Sequence, residues 1–165
     1  MIDINVWLAL TWDRHPQHIS ANRWYESIDD DALLFCRFTM LGFLRLLTNQ
    51  KVMGDSTNTV AAALQLYDRW AEDPRVELVA EPRGAETLFR QAVAPFALQP
   101  ATKAIADCYL IGLAGAIGAH VVTFDRGLAA TAKFRHVPVA LLEPFERAEA
   151  ILPSKKRKSR SKQLE

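Results

Sequence analysis

Residues 101–127, which read ATKAIADCYLIGLAGAIGAHVVTFDRG, contain the pattern that decides the fold. The first part predicts a helix that begins at Thr102 and ends near Gly118. Residues 121–124 are few and apolar, as the buried strands of parallel sheets are. A long helix that leads into an apolar strand is typical of proteins in which helices flank a parallel sheet.

The same alternation continues on both sides of this stretch. Strands are predicted at residues 1–3, 33–38, 76–79, 121–124 and 137–142. Helices are predicted at residues 6–12, 85–93, 102–118 and 128–133. Three more are predicted from their start signals: one with Pro16 in its first turn, one with Thr39 as N-cap, and one capped by residues 56–58. Pro138 indicates that the last strand lies at a sheet edge. The predicted fold class is therefore α/β, a parallel sheet flanked by helices.

Three aspartates fall where such a sheet binds its ligands. Asp3 and Asp125 follow predicted strands, and ligands of open α/β sheets bind outside the carboxyl ends of the strands. Asp107 lies in the first half of the helix at residues 102–118. Its face of that helix is apolar from there onward and should contact the sheet. We therefore expect the three carboxylates to lie close together.

The chemistry of such a cluster favours a divalent cation. Carboxylates held close together repel one another, and their pKa values rise unless something compensates. Mg²⁺ and Mn²⁺ remove that conflict, because hard cations prefer oxygen ligands, and Mg²⁺ commonly binds carboxylates together with substrate phosphates. A cation held in this way lowers the pKa of a bound water and stabilises charge on an attacked phosphate. The leading prediction is a metal-dependent nuclease.

Each aspartate also has an ordinary structural interpretation. Asp3 could cap the following helix, and Asp125 could cap the next one or form an Asp-x-Gly turn. Asp107 needs a partner on its apolar face, which Lys103, one helical turn earlier, could supply. Sequence alone leaves these interpretations open.

The composition is that of an ordinary globular protein. The chain has 165 residues, of which 50% are apolar and 24% charged, with a net charge of +1. No apolar run is long enough to span a bilayer and no signal-peptide pattern is present, so a cytoplasmic location without membrane contact is expected. Cys36 and Cys108 form no Cys-x-x-Cys pair, which argues for two buried thiols and against a structural zinc site.

One domain and a tail are predicted. The domain covers residues 1–150, and residues 151–165 are expected to form a basic, disordered tail. Residues 154–165 read SKKRKSRSKQLE, in which Glu165 is the only acid. Such a tail could bind RNA phosphates, but a solvated tail without a role is the favoured interpretation.

Four motifs together resemble a known family. They are MIDINV at residues 1–6, RFTMLGFLRL at residues 37–46, ADCYL at residues 106–110 and VTFDRGL at residues 122–128. In this order and spacing they resemble the PIN-domain ribonucleases, and most closely the VapC-type toxins of bacterial toxin–antitoxin modules. The resemblance covers about residues 1–145.

This resemblance implies a PIN-like three-layer fold and a Mg²⁺- or Mn²⁺-dependent endoribonuclease. It also implies a cognate antitoxin as partner, a homodimer, and an RNA substrate such as tRNA. The implied catalytic and metal-binding acids are Asp3, Asp107 and Asp125, and the implied supporting polar side chains are Asn5, Thr39 and Thr123. Arg126 is expected to contact RNA or the antitoxin, with a surface ion pair as the alternative.

One position departs from the family pattern. The family usually carries a glutamate three residues after the threonine of the second motif, where this chain has Gly42. The enzyme could hold one metal firmly, or bind metal weakly and act slowly. It could also be a weakened module that binds antitoxin or RNA without efficient cleavage. We favour retained activity, because the residues around Gly42 look like a variant of the VapC-type motif. An aspartyl-phosphate phosphatase ranks third, since such enzymes carry an acid where this chain has Asn5.

Overall fold

Helices and short parallel strands alternate along the computed structural model, which describes residues 1–29 and 31–145. The helices are α1 Ile4–Thr11, α2 His18–Ser27, α3 Arg37–Leu47, α4 Gln50–Met53, α5 Val60–Ala71, α6 Ala85–Val93, α7 Thr102–Ile117 and α8 Arg126–Phe134. The strands are β1 Leu33–Cys36, β2 Val76–Val79, β3 Val121–Thr123 and β4 Val139–Leu141. Single 3₁₀ turns lie at Gly54–Ser56 and Ala94–Phe96. Among these described helices, none combines the length and the apolar character needed to cross a bilayer.

The sheet is built from two parallel pairs joined by the first residues of the chain. β1 pairs with β2, and β3 pairs with β4. Ile2 N–H donates to the Leu34 carbonyl at 3.2 Å, and Asp3 N–H donates to the Val122 carbonyl at 3.0 Å. The order is therefore β2, β1, residues 1–3, β3, β4, which confirms that the last strand lies at an edge.

Two apolar clusters lie on opposite faces of this sheet, because neighbouring residues of each strand divide between them. Phe35 and Val122 belong to one cluster, in which the Trp7 ring stacks on Phe35 with 3.8 Å between ring centroids. Cys36 and Val121 belong to the other, which α7 and α8 cover. Since successive side chains of a strand point to opposite faces, helices cover both faces of the sheet. The predicted three-layer α/β fold is confirmed.

The start of α3 differs from the prediction. Cys36 ends β1 and caps α3, so the predicted strand to residue 38 is too long and Thr39 is not the N-cap. Thr39 is the third residue of the helix, and its hydroxyl accepts a hydrogen bond from the Cys36 N–H at 3.0 Å. The two residues form a capping box. Cys36 takes the place of the usual serine or threonine at the N-cap, and Thr39 takes the place of the usual glutamate or glutamine at the third position.

Other differences are local. Pro16 lies outside α2, because two hydrogen-bonded turns between residues 12 and 18 precede the helix. α5 is capped by Thr59 and not by residues 56–58. The short helix α4 escaped prediction, because its four residues are too few for an apolar period. The predicted bounds of β2 and α6 are confirmed.

Both cysteines are buried and free, as the sequence indicated. The predicted tail at residues 151–165 and the last residues of the predicted domain lie outside the described residues.

Candidate metal centre

The three aspartates lie near one another at the carboxyl edge of the sheet, close enough that their charges interact. Asp3 ends the central strand segment, Asp125 follows β3, and Asp107 lies in the second turn of α7. Burial raises the pKa of Asp3, and the charge of Asp125 adds to the rise. Burial also raises the pKa of Asp107 to about 6, with further contributions from the charges of Asp125 and Asp3. The fold thus brings together the acids that the sequence analysis grouped.

Asp3 divides its carboxylate between a helix cap and the site. Its Oδ1 accepts the Ile4 N–H at 2.7 Å, at the start of α1. Its Oδ2 accepts the Thr123 hydroxyl at 2.7 Å. The N-cap interpretation is therefore correct, and one carboxylate oxygen remains directed away from the helix.

Asp125 divides its carboxylate in the same way. Its Oδ1 accepts the N–H groups of Gly127 at 2.7 Å and Leu128 at 3.1 Å, which caps α8. Its Oδ2 forms an ion pair with the Lys103 ammonium, and this hydrogen bond is the main reason that the pKa of Asp125 is lowered. Capping fixes the position of the carboxylate without using both oxygens.

Lys103 pairs with Asp125 and not with Asp107, the partner that helical spacing suggested. The lysine lies in the first turn of α7, and its side chain is 75% exposed. Its pKa is raised by Asp125 first, and the charges of Asp107 and Asp3 contribute in the same direction. The charge of this one exposed lysine therefore interacts with all three acids.

Asp107 is the least constrained of the three acids. It is half-buried, and no hydrogen bond or ion pair between described residues involves its carboxylate. It lies on the wall of a cavity of about 490 Å³ between the start of α7 and α8. The wall of this cavity also includes Phe96, Gln99, Lys103, Gly127 and Thr131. A carboxylate free to take a new partner thus faces an open space.

Thr123 connects two of the acids and was a sequence-predicted supporting residue. It is fully buried. Its hydroxyl donates to Asp3 Oδ2 and accepts the Asp125 N–H at 2.9 Å and the Asn5 side-chain amide at 3.4 Å. The Asn5 Oδ1 is buried without a hydrogen-bond partner among the described residues. Asn5 therefore keeps an oxygen available beside Thr123.

Thr39 and Arg126, the remaining predicted residues, have their hydrogen-bond and ion-pair partners outside the acidic cluster. The Thr39 hydroxyl donates to the Cys36 carbonyl at 3.1 Å and so serves the start of α3. Arg126 forms an exposed ion pair with Glu143 at 3.2 Å, which is the alternative that the sequence left open. A direct role of Thr39 or Arg126 at the site stays a prediction.

Gly42 lies where α3 packs against α1, and no sequence pattern indicates which side chain fills the space beside it. A carbon at its β position would overlap the Cδ1 atom of Ile4 and lie 3.1 Å from the Ile4 Cγ1. The space beside Gly42, the position at which the family resemblance predicted an acid, is therefore occupied by an isoleucine that directly follows Asp3.

The donor set suits a hard divalent cation, although it is not closed. Within residues 1–29 and 31–145, no three histidine, cysteine or acidic side chains stand close enough to enclose an ion as they are placed. The available donors are carboxylate oxygens, which Mg²⁺ and Mn²⁺ prefer. Asp107 has an elevated pKa and no partner in the part of the chain that the structure describes, so a cation would relieve the repulsion that it experiences. The Lys103 ammonium occupies Oδ2 of Asp125, the oxygen that α8 capping leaves unused.

Comparison with known proteins gives a consistent result. The family described as PIN domain matches residues 1–134. Ribonuclease VapC41 of Mycobacterium tuberculosis is 36% identical over 132 residues, which cover 76% of this chain and 88% of that protein. Ribonuclease VapC39 of the same species is 31% identical over 140 residues, which cover 80% of this chain and 92% of that protein.

The fold has a counterpart among solved structures. A chain in the structure titled "Structure of FitAB bound to IR36 DNA fragment" superposes with a TM-score of 0.55. The match covers 85% of this chain and 92% of that chain, at 16% sequence identity. At that identity the similarity supports the fold alone.

Proposed function

This chain belongs to the PIN-domain family as a VapC-type ribonuclease, and we propose that it hydrolyses RNA phosphodiester bonds with a divalent cation held by Asp3, Asp107 and Asp125. It acts as the toxin of a toxin–antitoxin module and is neutralised by a cognate antitoxin. The cation is Mg²⁺ or Mn²⁺.

One observation carries this proposal. Carboxylates from three separate segments lie near one another at the carboxyl edge of the sheet. One of them, Asp107, has no hydrogen-bond partner among the described residues and lies on the wall of a cavity of about 490 Å³. A structural role leaves acids paired or solvated, and Asp107 is half-buried with an elevated pKa. Such a position suits a ligand of a metal that also contacts a phosphate.

The residues of the chain divide the work. When bound, the cation supplies a water of lowered pKa and neutralises charge on the phosphate. Asp3 and Asp125 would be rigid metal ligands, because each carboxylate accepts hydrogen bonds from backbone N–H at the start of a helix. Thr123 orients Asp3 by donating to its Oδ2. Asp107 is free to adjust, since no hydrogen bond from a described residue restrains it.

A second candidate function rests on Gly42. Glycine has no side chain and contributes no carboxylate there, and Ile4 fills the adjacent space. The alternative is a catalytically weakened module that binds antitoxin or RNA without efficient cleavage.

RNA cleavage during titration with Mg²⁺ or Mn²⁺ separates the two candidates. We expect the wild type to cleave and Asp107→Asn to lose about 100-fold or more, since even an outer partner of a metal ligand is worth ~10–100-fold. Asp68→Asn, the same change at an exposed acid of α5, should leave cleavage unchanged. No cleavage by the wild type, together with cleavage by Gly42→Glu, would favour the weakened module.

The expected partners follow from the same family membership. RNA is the substrate, the antitoxin is the regulatory partner, and a homodimer is the expected assembly. The cytoplasmic location stays a prediction.

A further inference from the structure

We propose that Lys103 is an internal counterion, which holds the cation position beside Asp125 until a divalent ion displaces it. The inference rests on the proposed metal-dependent function and adds a residue that controls how readily the metal enters.

The first argument is the position of the ammonium. Lys103 Nζ is paired with Oδ2 of Asp125, the oxygen that α8 capping leaves unused. The charge of Lys103 also favours the ionised forms of Asp3 and Asp107. A single positive charge thus lies against the same carboxylates that are proposed to bind the metal.

The second argument is that this ion pair can open easily. The Lys103 side chain is 75% exposed, so its ammonium is already largely hydrated and can move fully into water when the ion pair opens. The lysine ammonium is a compact charge on a flexible chain. Among the described residues it hydrogen-bonds to Asp125 Oδ2, whereas an arginine could bind both carboxylate oxygens. The lysine keeps its proton when it leaves, so the exchange replaces one positive charge with two.

The third argument is electrostatic balance. Without any cation, Asp3, Asp107 and Asp125 repel one another, and burial already opposes ionisation of Asp3 and Asp107. Lys103 offsets part of this repulsion in the metal-free protein. The same contact must be broken before the three carboxylates can close around an ion, so Lys103 competes with the metal.

Calorimetric titration of the full chain with Mn²⁺ tests this competition. We expect Lys103→Met to bind Mn²⁺ about tenfold more tightly than the wild type at low ionic strength. The difference should shrink as KCl is added, because salt screens exposed pairs. Lys103→Arg keeps the charge and should bind at or below the wild-type affinity. Lys133→Met, which removes an exposed lysine in the last turn of α8, is the matched control and should bind as the wild type does.

The outcomes separate this proposal from the proposed function. If the wild type binds Mn²⁺ and Lys103→Met binds equally or more weakly, the counterion proposal is wrong and metal dependence stands. If neither protein binds Mn²⁺, both proposals fail. Far-ultraviolet circular dichroism of each variant checks folding, and Lys103→Gln provides a second neutral substitution with the same expected gain in affinity.

Discussion

At the scale of single residues, the acids of the site serve the fold and the site together. Asp3 and Asp125 each cap a helix with one oxygen and present the other to the cluster. A capping side chain contributes ~1 kcal/mol to stability, which explains a buried acid without any ligand. The structural and the functional interpretation of these aspartates therefore do not exclude each other.

Replacement of Thr123 by valine should uncouple Asp3 from Asp125. The change removes the hydroxyl that donates to Asp3 Oδ2 and accepts the Asp125 N–H. We expect the free energy of unfolding to fall by ~1–3 kcal/mol, because these two groups and the Asn5 side-chain amide lose a buried partner. The pKa of Asp3 should rise further, since the Thr123 hydrogen bond now lowers it. Urea unfolding and NMR titration of the Asp3 carboxyl measure the two effects.

Thr123→Ser is the control for this prediction. Serine keeps the hydroxyl and loses only a methyl group, so the pKa of Asp3 should remain near its wild-type value. An equal rise in the pKa of Asp3 in both variants would show that packing, and not the hydrogen bond, controls this carboxylate.

The sequence was sufficient for the acids and insufficient for their neighbours. Asp3 and Asp125 were predictable because strand ends are visible as the ends of apolar runs. The pairing of Lys103 with Asp125 joins residues far apart in sequence, and the local spacing pointed to Asp107. The contact of Ile4 with Gly42 depends on how α1 crosses α3, for which a single sequence carries no signal.

At the scale of elements, the position of Asp107 depends on how closely α7 approaches α6. Gly112 of α7 lies against the backbone of Phe89, and a carbon at its β position would be 2.5 Å from the Phe89 nitrogen. Gly115, one turn later, faces only side chains, at 3.3 Å from Val137 and 3.4 Å from Leu88. The first glycine permits a backbone contact, whereas the second fills ordinary packing space.

Alanine substitutions at these two glycines should therefore differ. Gly112→Ala must push α7 away from α6, and we expect the free energy of unfolding to fall by ~1–3 kcal/mol. Gly115→Ala should change it by less than ~1 kcal/mol, because neighbouring side chains can shift and alanine favours helix. Urea unfolding of both variants provides the comparison. Equal losses would mean that the α6–α7 contact is not limited by Gly112.

Elements were predictable where a breaker marks the boundary. The bounds of α6 and β2 agree with the sequence because Gly84 precedes the first and Pro74 lies just before the second. The start of α3 was not predictable, because Cys36 caps that helix and cysteine is not among the usual capping residues. Local rules thus succeed at Gly84 and Pro74 but fail at Pro16, which lies outside α2, and at Cys36, which caps a helix although cysteine rarely does so.

At the scale of the whole molecule, the sheet order concentrates negative charge at one edge. The first residues of the chain join the two strand pairs, which places Asp3 beside β3 and the acid that follows it. Two apolar clusters hold this arrangement from both faces. The fold therefore holds carboxylates that repel one another, and this repulsion lowers the stability of the metal-free protein.

The sign of the resulting pH dependence follows from Asp107. Its pKa is about 6 in the folded protein, against 3.8 for the unperturbed group. Between these two pH values the unfolded chain releases the proton that the folded protein keeps. Because the folded state then binds more protons at this group, the contribution of Asp107 to the free energy of unfolding falls as pH rises from about 4 to about 6 and levels off above that.

Removing this carboxylate should remove that part of the pH dependence. In metal-free protein, the free energy of unfolding of Asp107→Asn minus that of the wild type should increase from about pH 4 to about pH 6. Other groups, such as His15 with its lowered pKa, contribute to both proteins and cancel in the difference. Urea unfolding at closely spaced pH values in the presence of a chelator measures it, with Asp68→Asn as the control. A flat difference would mean that Asp107 titrates in the folded protein as it does in the unfolded chain, and that neither burial nor the charges of Asp125 and Asp3 raise its pKa.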